Sequence, residues 1–496
     1  MNDSVAPPIA QKGAQSSSAT ALDPASVRWI VVGVMLAMLL AAIDQTIVAT
    51  ALPTIGNELR DLEHLPWVVT AYLLSATAVT PLYGKLADII GRRTTLLTAI
   101  AVFIAGSALC ALAPTMWVLI LARFIQGLGG GGLIALAQTI VADIVPPRER
   151  MRYQAYFASV FVTSSIAGPV LGGFFAEHLH WSFIFWINLP LGALALFMTN
   201  DVLKRLPRNE RPHKLDVIGA ILMVTATVAL LLALSWGGGV YPWGSVEIVG
   251  LVVASIVAWV LFVMRLMRAA EPFVPLAVLF NPVVGAGTAT NFFVMGTLVG
   301  LSIYVPIYFE AVVGLSAGQS GLALIALMGG TVTGAQIAGR IMVWTPHYKL
   351  GPTVGLLVSI PAVLVLAATV SFLPLWAVEV LLATTGLGLG TIFPVTTVAV
   401  QNAVEPHQLG TATASFNFFR SLGSAILVAT FGAIFLGGLG MNGKPIGSLD
   451  ALVADAAANG TPIAPVFGYV FGAAAVTLAV GFLCFLAMEE KPLRGR

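Results

Sequence analysis

Charge is what this sequence has least of. Asp, Glu, Lys and Arg make up 9% of its 496 residues, where an ordinary soluble domain carries about 25%. With 58% hydrophobic residues and a mean hydropathy of +0.94, there is too little polar surface to coat a soluble fold, and that class is excluded. Cysteine is almost missing as well: Cys110 and Cys484 both fall inside apolar runs, so no disulfide framework or zinc site can be assembled. The six histidines are scattered, mostly between apolar runs. No metal set or nucleophile-base pair stands out, which argues against an enzyme and against any metal or other cofactor. A net charge of +2 gives no reason to invoke nucleic acid. Residues 1–26 are rich in Ser, Ala and Pro, hold Lys12 as their one base, and read as a disordered tail rather than a cleaved signal.

What the sequence has in quantity is apolar blocks of about twenty residues, the length a helix rising ~1.5 Å per residue needs to cross about 30 Å of hydrocarbon. About fourteen can be drawn. They are 29–52, 67–86, 95–113, 116–139, 155–177, 182–200, 215–236, 247–268, 284–308, 320–342, 351–372, 375–399, 410–435 and 465–488. All but four of the 24 Lys and Arg then fall on one side; Arg60 and Lys444 lie on the other, and Arg123 and Arg420 lie within spans. The bias predicts that this basic side, with both termini, is cytoplasmic. The expected fold class is an all-α polytopic membrane protein.

A repeat is hidden in the chain. Gly127-Leu128-Gly129-Gly130-Gly131 recurs as Gly386-Leu387-Gly388-Leu389-Gly390, and 386 − 127 = 259. At the same offset Val145 falls on Val404, Pro147 on Pro406 and Ala155 on Ala414, so spans 4 and 5 map onto 12 and 13. A shift of eight spans implies two six-helix halves, residues 28–200 and 284–488, separated by a linker over 201–283 that holds two extra helices. Residues 1–27 and 489–496 are the tails. Parallel repeats of this kind build transporters whose substrate site lies between the halves near the midplane.

Several polar constellations interrupt the apolar text. Between spans 2 and 3 runs Gly84-Lys85-Leu86-Ala87-Asp88-Ile89-Ile90-Gly91-Arg92-Arg93, with two glycines expected to break helices and make a charged hinge at the membrane surface. Span 5 carries Ser164-Ser165-Ile166-Ala167-Gly168-Pro169-Val170-Leu171-Gly172-Gly173, where small residues allow close backbone approach and Gly-Pro favours a kink. Span 4 contains Arg123-Phe124-Ile125-Gln126-Gly127-Leu128-Gly129. A buried cation needs a partner, and Asp44 on span 1 lies at a similar depth. Desolvation of that carboxyl and a nearby Arg act on its proton in opposite directions, so their separation would work as a proton switch. Asn417 and Arg420 share a face of span 13 and are candidates for a cavity or gate; Glu310 follows Tyr304, Tyr308 and Phe309, where an acid beside aromatics could greet a cation or merely sit in an interfacial belt. Trp181-Ser182-Phe183-Ile184-Phe185-Trp186-Ile187-Asn188-Leu189-Pro190-Leu191-Gly192 opens span 6. Gly438 to Pro445 mimics a phosphate-binding loop but lacks the metal-binding hydroxyl and a preceding strand.

The first constellation resembles the major facilitator signature G-x-L-x-D-R-x-G-R-R/K, departing at Ile89 where Arg is usual. The second resembles the antiporter signature of that family, with Ser164 for its first Gly. The third resembles its R-x-x-Q-G-x-G element, and Ile43 to Pro53 resembles the first-span signature of its fourteen-helix drug:proton antiporter branch. The opening of span 6 is similar to W-R-x-x-F-x-I-N-x-P-x-G, with Ser182 where Arg is usual. The resemblance implies a fourteen-helix major facilitator fold of the multidrug efflux type. Asp44, Arg123 and Gln126 would then serve proton or substrate coupling, and Gly84, Asp88, Gly91, Arg92 and Arg93 would latch the halves in the outward-open state. Ser164, Gly168, Pro169, Gly172 and Gly173 would favour exchange. The expected activity is export of a hydrophobic, cationic compound in exchange for protons from the cell (inner) membrane. The expected working unit is a monomer in the lipid bilayer, with room for periplasmic and outer-membrane partners. A lipid or metabolite exporter, an importer, and a receptor or scaffold on the same fold are the alternatives.

Overall fold

The computed structural model is all-helical. It describes residues 24–493 except 62–63, 205–215, 239, 270–277, 279, 316, 346 and 440–462. Ser448 to Gly460, where the sequence suggests a short capped surface helix, lies outside the described residues.

The first half contains α1 (Pro24–Glu58), α2 (Pro66–Ile90), α3 (Arg92–Ala111), α4 (Met116–Ile144), α5 (Pro147–His178) and α6 (Asn188–Leu203), the last preceded by the short helix Phe183–Trp186. Next come α7 (Val217–Trp236) and α8 (Val246–Arg268). The second half holds α9 (Pro282–Tyr308), which ends in a π-turn over Phe309–Val313, then α10 (Ile325–Trp344), α11 (Leu350–Thr369), α12 (Leu375–Ala403), α13 (Leu409–Gly438) and α14 (Ile463–Ala487). Residues 24–27, assigned to the tail by composition, form the first turn of α1 instead.

Among the described residues twelve helical stretches are long and apolar enough to cross a membrane. The two expected spans missing from that set are α2 and α5, of 25 and 32 residues. Both pack across the junction between the halves, α2 on α13 and α5 on α10, so part of each helix faces protein rather than lipid.

The repeat is visible in the helix boundaries. α4 and α12 are each 29 residues long, and Met116 and Leu375, which open them, stand at the offset of the sequence repeat. Pro66 of α2 and Ile325 of α10 stand at the same offset. The buried core is divided accordingly, with one apolar cluster filling the second half and two filling the first. α7 and α8 pack on each other, and α7 lies against α2. Asp216 joins them, capping α7 through the Gly219 amide (3.1 Å) and accepting from Arg265 Nε of α8 (3.0 Å). α8 presents Val246, Val249, Val253, Val257 and Val260 outward, a face suited to lipid.

Candidate functional site

Three polar sites lie along the bundle, each made by helices that the repeat brings together. The deepest joins α1, α3, α4 and the start of α6. Asp44 and Arg123 are 0% and 1% exposed, yet both are ionisable, so each must find its partners inside the protein. Arg123 Nη1 donates to Asp44 Oδ2 at 2.6 Å and to Gln126 Oε1 at 2.7 Å, while its Nε donates to the Val68 carbonyl at 3.0 Å. Gln126 Nε2 donates to Asp44 Oδ1 (2.8 Å) and Ser107 Oγ (2.8 Å); Asn188 Nδ2 reaches the same two oxygens at 3.2 and 3.3 Å. The guanidinium lies 4.3 Å from the centroid of the Tyr72 ring. Asp44 thus accepts three hydrogen bonds, from Arg123, Gln126 and Asn188.

The small residues of α5 fasten this network to the rest of the molecule. Thr46 Oγ1, two residues beyond Asp44, donates to the Ser164 carbonyl at 2.8 Å. A Cβ on Gly168 would stand 2.0 Å from Thr46 Oγ1, and one on Gly172 would stand 2.2 Å from Thr50 Oγ1. α1 and α5 therefore touch where no larger residue fits. Gly173 has open space around it, and α5 continues through Pro169, whose side chain lies outside the described residues.

The second site is the α2–α3 connection. The expected charged loop is a single residue, Gly91, at φ +92°, a conformation that favours glycine. Gly84 breaks nothing. It lies inside α2, where a Cβ would come within 2.3 Å of the Ala414 Cβ and 2.6 Å of the Gly410 carbonyl oxygen, so its role is contact across the halves. That contact brings Asp88 to the first turn of α13. Its Oδ2 accepts from the Thr411 amide (2.8 Å) and hydroxyl (2.6 Å), and its Oδ1 from the Gly410 amide (3.2 Å). A carboxylate at a helix start gains from unpaired amides and from the helix dipole. Arg92 binds Asp88 (2.5 Å) and Asp143 (2.8 Å), and Arg93 Nη2 binds Asn200 Oδ1 (2.6 Å). The result is a latch between the halves at one end of the bundle.

Between the halves, on the side away from this latch, is a cavity of about 680 Å³. Its wall runs from Ile134, Phe393 and Asn417 near the middle of their helices to Thr70, Met328 and Ala429. Below it, Asn417 Nδ2 donates to Gln138 Oε1 at 2.7 Å, a buried hydrogen bond from one half to the other. Arg420 and Asn417 both line the cavity; Glu310 is in the π-turn after α9 and does not. Arg420 is the only charged side chain on the wall among the described residues, 5.3 Å from the Phe393 ring and 6.0 Å from the Phe161 ring. Among the described residues no carboxylate lines this wall. Asp44 does not line the cavity, although its neighbour Gln45 does.

Sequence reasoning missed Ser107, Asn188, Gln138 and Thr411. Asn188 had a signal, its place in the span 6 motif. The others are ordinary polar residues whose importance comes from partners distant in the chain.

The comparisons agree with this architecture. Residues 34–428 match the Major Facilitator Superfamily. An uncharacterised MFS-type transporter of Mycobacterium tuberculosis is 36% identical over 84% of the chain, a match that spans 60% of that relative's own length. The Multidrug transporter protein MdtP of Bacillus subtilis is 33% identical over 86% of the chain and 79% of its own. Multidrug resistance protein 3 of the same organism is 35% identical over 84% and 81%. Two solved structures share the fold at low identity. The human organic anion transporter MFSD10 (TETRAN) has a TM-score of 0.64 at 18% identity, covering 94% of this chain and 100% of its own; the proton:xylose symporter XylE has 0.61 at 15%, covering 95% and 98%. With its repeated halves, its cross-half latch and a family match over most of its length, the chain belongs to the major facilitator superfamily of membrane transporters.

Proposed function

We propose that this chain exports hydrophobic compounds in exchange for protons by alternating access. It works as a single chain in the cell (inner) membrane, with fourteen spans and both termini cytoplasmic. The multidrug and efflux names carried by relatives at 31–35% identity support export. The concentration of Lys and Arg on the latch side supports the orientation, and the position of α2 and α5 within the bundle supports counting them as spans. In that orientation the latch closes the cytoplasmic side and the cavity faces outward. Completion of the cavity within one chain supports a monomeric working unit.

The observation that carries proton coupling is the buried Asp44–Arg123 pair, held next to the cavity but off its wall. Proton and cargo then occupy different places, and the link between them runs through helices. Protonation of Asp44 weakens its hold on Arg123, Gln126 and Asn188. α1 is released from α4, and α1 carries α5 with it through the Thr46–Ser164 contact. α5 in turn packs on α10 of the other half. In proteoliposomes, Asp44→Asn is expected to insert normally and to abolish transport driven by a pH gradient. Undiminished pH-driven transport in that variant would sink the assignment.

A further inference from the structure

We infer that the cargo cavity selects organic anions, hydrophobic molecules bearing one carboxylate, sulfonate or phenolate, and that Arg420 is the residue that receives that group. The inference rests on the exporter reading above and goes on to name the charge of what is exported.

The argument begins with the wall. Its apolar part comes from residues such as Leu73, Leu231, Met295 and Val428, and its polar part from Gln45, Asn417 and small hydroxyl residues. None of these carries charge, so the electrostatic character of the space is set by whatever ionisable groups remain. Arg420 remains, and no carboxylate among the described residues pairs with it. The nearest deep acid, Asp44, is fully buried and already bonded to Arg123, so that pair adds close to zero net charge. An unpaired cation in a low-dielectric cavity attracts anions and repels cations more strongly than it would in water.

Geometry adds to the charge. The guanidinium stands beside the rings of Phe161 and Phe393, one from each half, at distances where ring and cation attract. A planar guanidinium held against ring faces offers its N–H edge, the arrangement that binds a carboxylate or sulfonate by two parallel hydrogen bonds. The rings leave apolar surface beside that edge for the hydrophobic body of the cargo. Arg123 provides the contrast within the same molecule, since its donors are spent on Asp44, Gln126 and Val68.

The direct test uses the full chain in phosphatidylcholine nanodiscs and two xanthene dyes of similar size, anionic fluorescein and cationic rhodamine 123, with equilibrium binding read by fluorescence anisotropy. Fluorescein is expected to bind about tenfold or more tighter than rhodamine 123, as one charge-assisted hydrogen-bonded pair allows. Arg420→Gln should erase that preference, and Arg420→Lys, which keeps the charge but not the planar edge, should retain part of it. Ser302→Glu puts a carboxylate on the wall without touching Arg420, so it decides the matter if Arg420→Gln does not fold; it should shift the preference toward rhodamine 123. Equal or tighter binding of rhodamine 123 to the wild type would overturn the inference. So would a preference unchanged in Arg420→Gln, or an equal loss of both dyes in an Arg420→Gln variant that folds. Export of the same dyes from cells is scored separately. Selective binding without export would overturn the exporter reading and leave the anion site standing, whereas export of rhodamine 123 alone would do the reverse.

Discussion

Set side by side, the two halves share a backbone plan and differ in what they have buried in it. At the repeat offset Arg123 falls on Leu382, Gln126 on Thr385 and Ser107 on Leu366, so the polar network of the first half is replaced by two leucines and a threonine, all buried. The helix packing is reversed too. In the first half the glycines are on α5, where Gly168 and Gly172 admit Thr46 and Thr50 of α1. In the second half those positions are Leu427 and Phe431, and the clefts move to α9, where Gly296 and Gly300 admit them. Each half keeps one deep arginine. Arg123 is paired and sealed; Arg420, whose counterpart in the first half is the Phe161 it lies beside, has no carboxylate partner among the described residues and lines the cavity. The difference suggests a division of labour in the proposed exchanger, with the buried acid–base pair in one half and, among the described residues, the only charge on the cavity wall in the other.

The sharpest way to break the comparison is to make the first half like the second. Arg123→Leu leaves Asp44 buried without its cation and should destabilise the protein by about 3–5 kcal/mol, read as thermal unfolding in detergent. Adding Asp44→Leu should restore stability to within about 1 kcal/mol while pH-driven transport stays absent. A stable Arg123→Leu single variant would mean that the two charges do not depend on each other. In the second half, Leu427→Ala empties the Gly296 cleft and should cost about 2–4 kcal/mol with proton coupling intact, since no titrating group is disturbed. Gly168→Ala overfills the opposite arrangement and should cost about 1–3 kcal/mol, with coupling impaired because α1 is pushed off α5. Asp88→Asn weakens a latch worth about 1–2 kcal/mol, so maleimide labelling of a Thr413→Cys reporter from the cytoplasmic side should rise roughly 5–30-fold. Dye selectivity should not move in that variant, because Asp88 is remote from the cavity wall. Glu310→Gln, outside both site and latch, should change transport by less than about twofold.

Much of this was legible because charge is conspicuous in an apolar text. Asp44, Arg123 and Asp88 stand out in the sequence, and the offset of the glycine runs recurs in the boundaries of α4 and α12. Other features were not legible, for specific reasons. Asn188 reaches Asp44 across 144 residues, and nothing local to it announces that contact. Ser107 is one hydroxyl among many in apolar helices. Gly84 reads as a helix breaker because the same missing Cβ that frees a backbone also lets two helices touch; only the position of α13 decides between the two. The charge on the cavity wall was not legible because it depends on which face of each helix reaches the cavity. That is a property of the assembled bundle and is absent from any one motif.

If the chain exports as proposed, the hold of Asp88 on the start of α13 also bears on how much cargo the cell must contain before export begins. A molecule resting with its cytoplasmic side closed offers its cavity to the cytosol only in its minor form. The concentration needed for half-occupancy is then the intrinsic constant divided by the fraction in that form. A tighter latch raises this threshold for every cargo alike, with no change on the cavity wall. On the proposals above, sensitivity and selectivity would be set at opposite ends of the molecule, the first by Asp88 and Thr411, the second by Arg420.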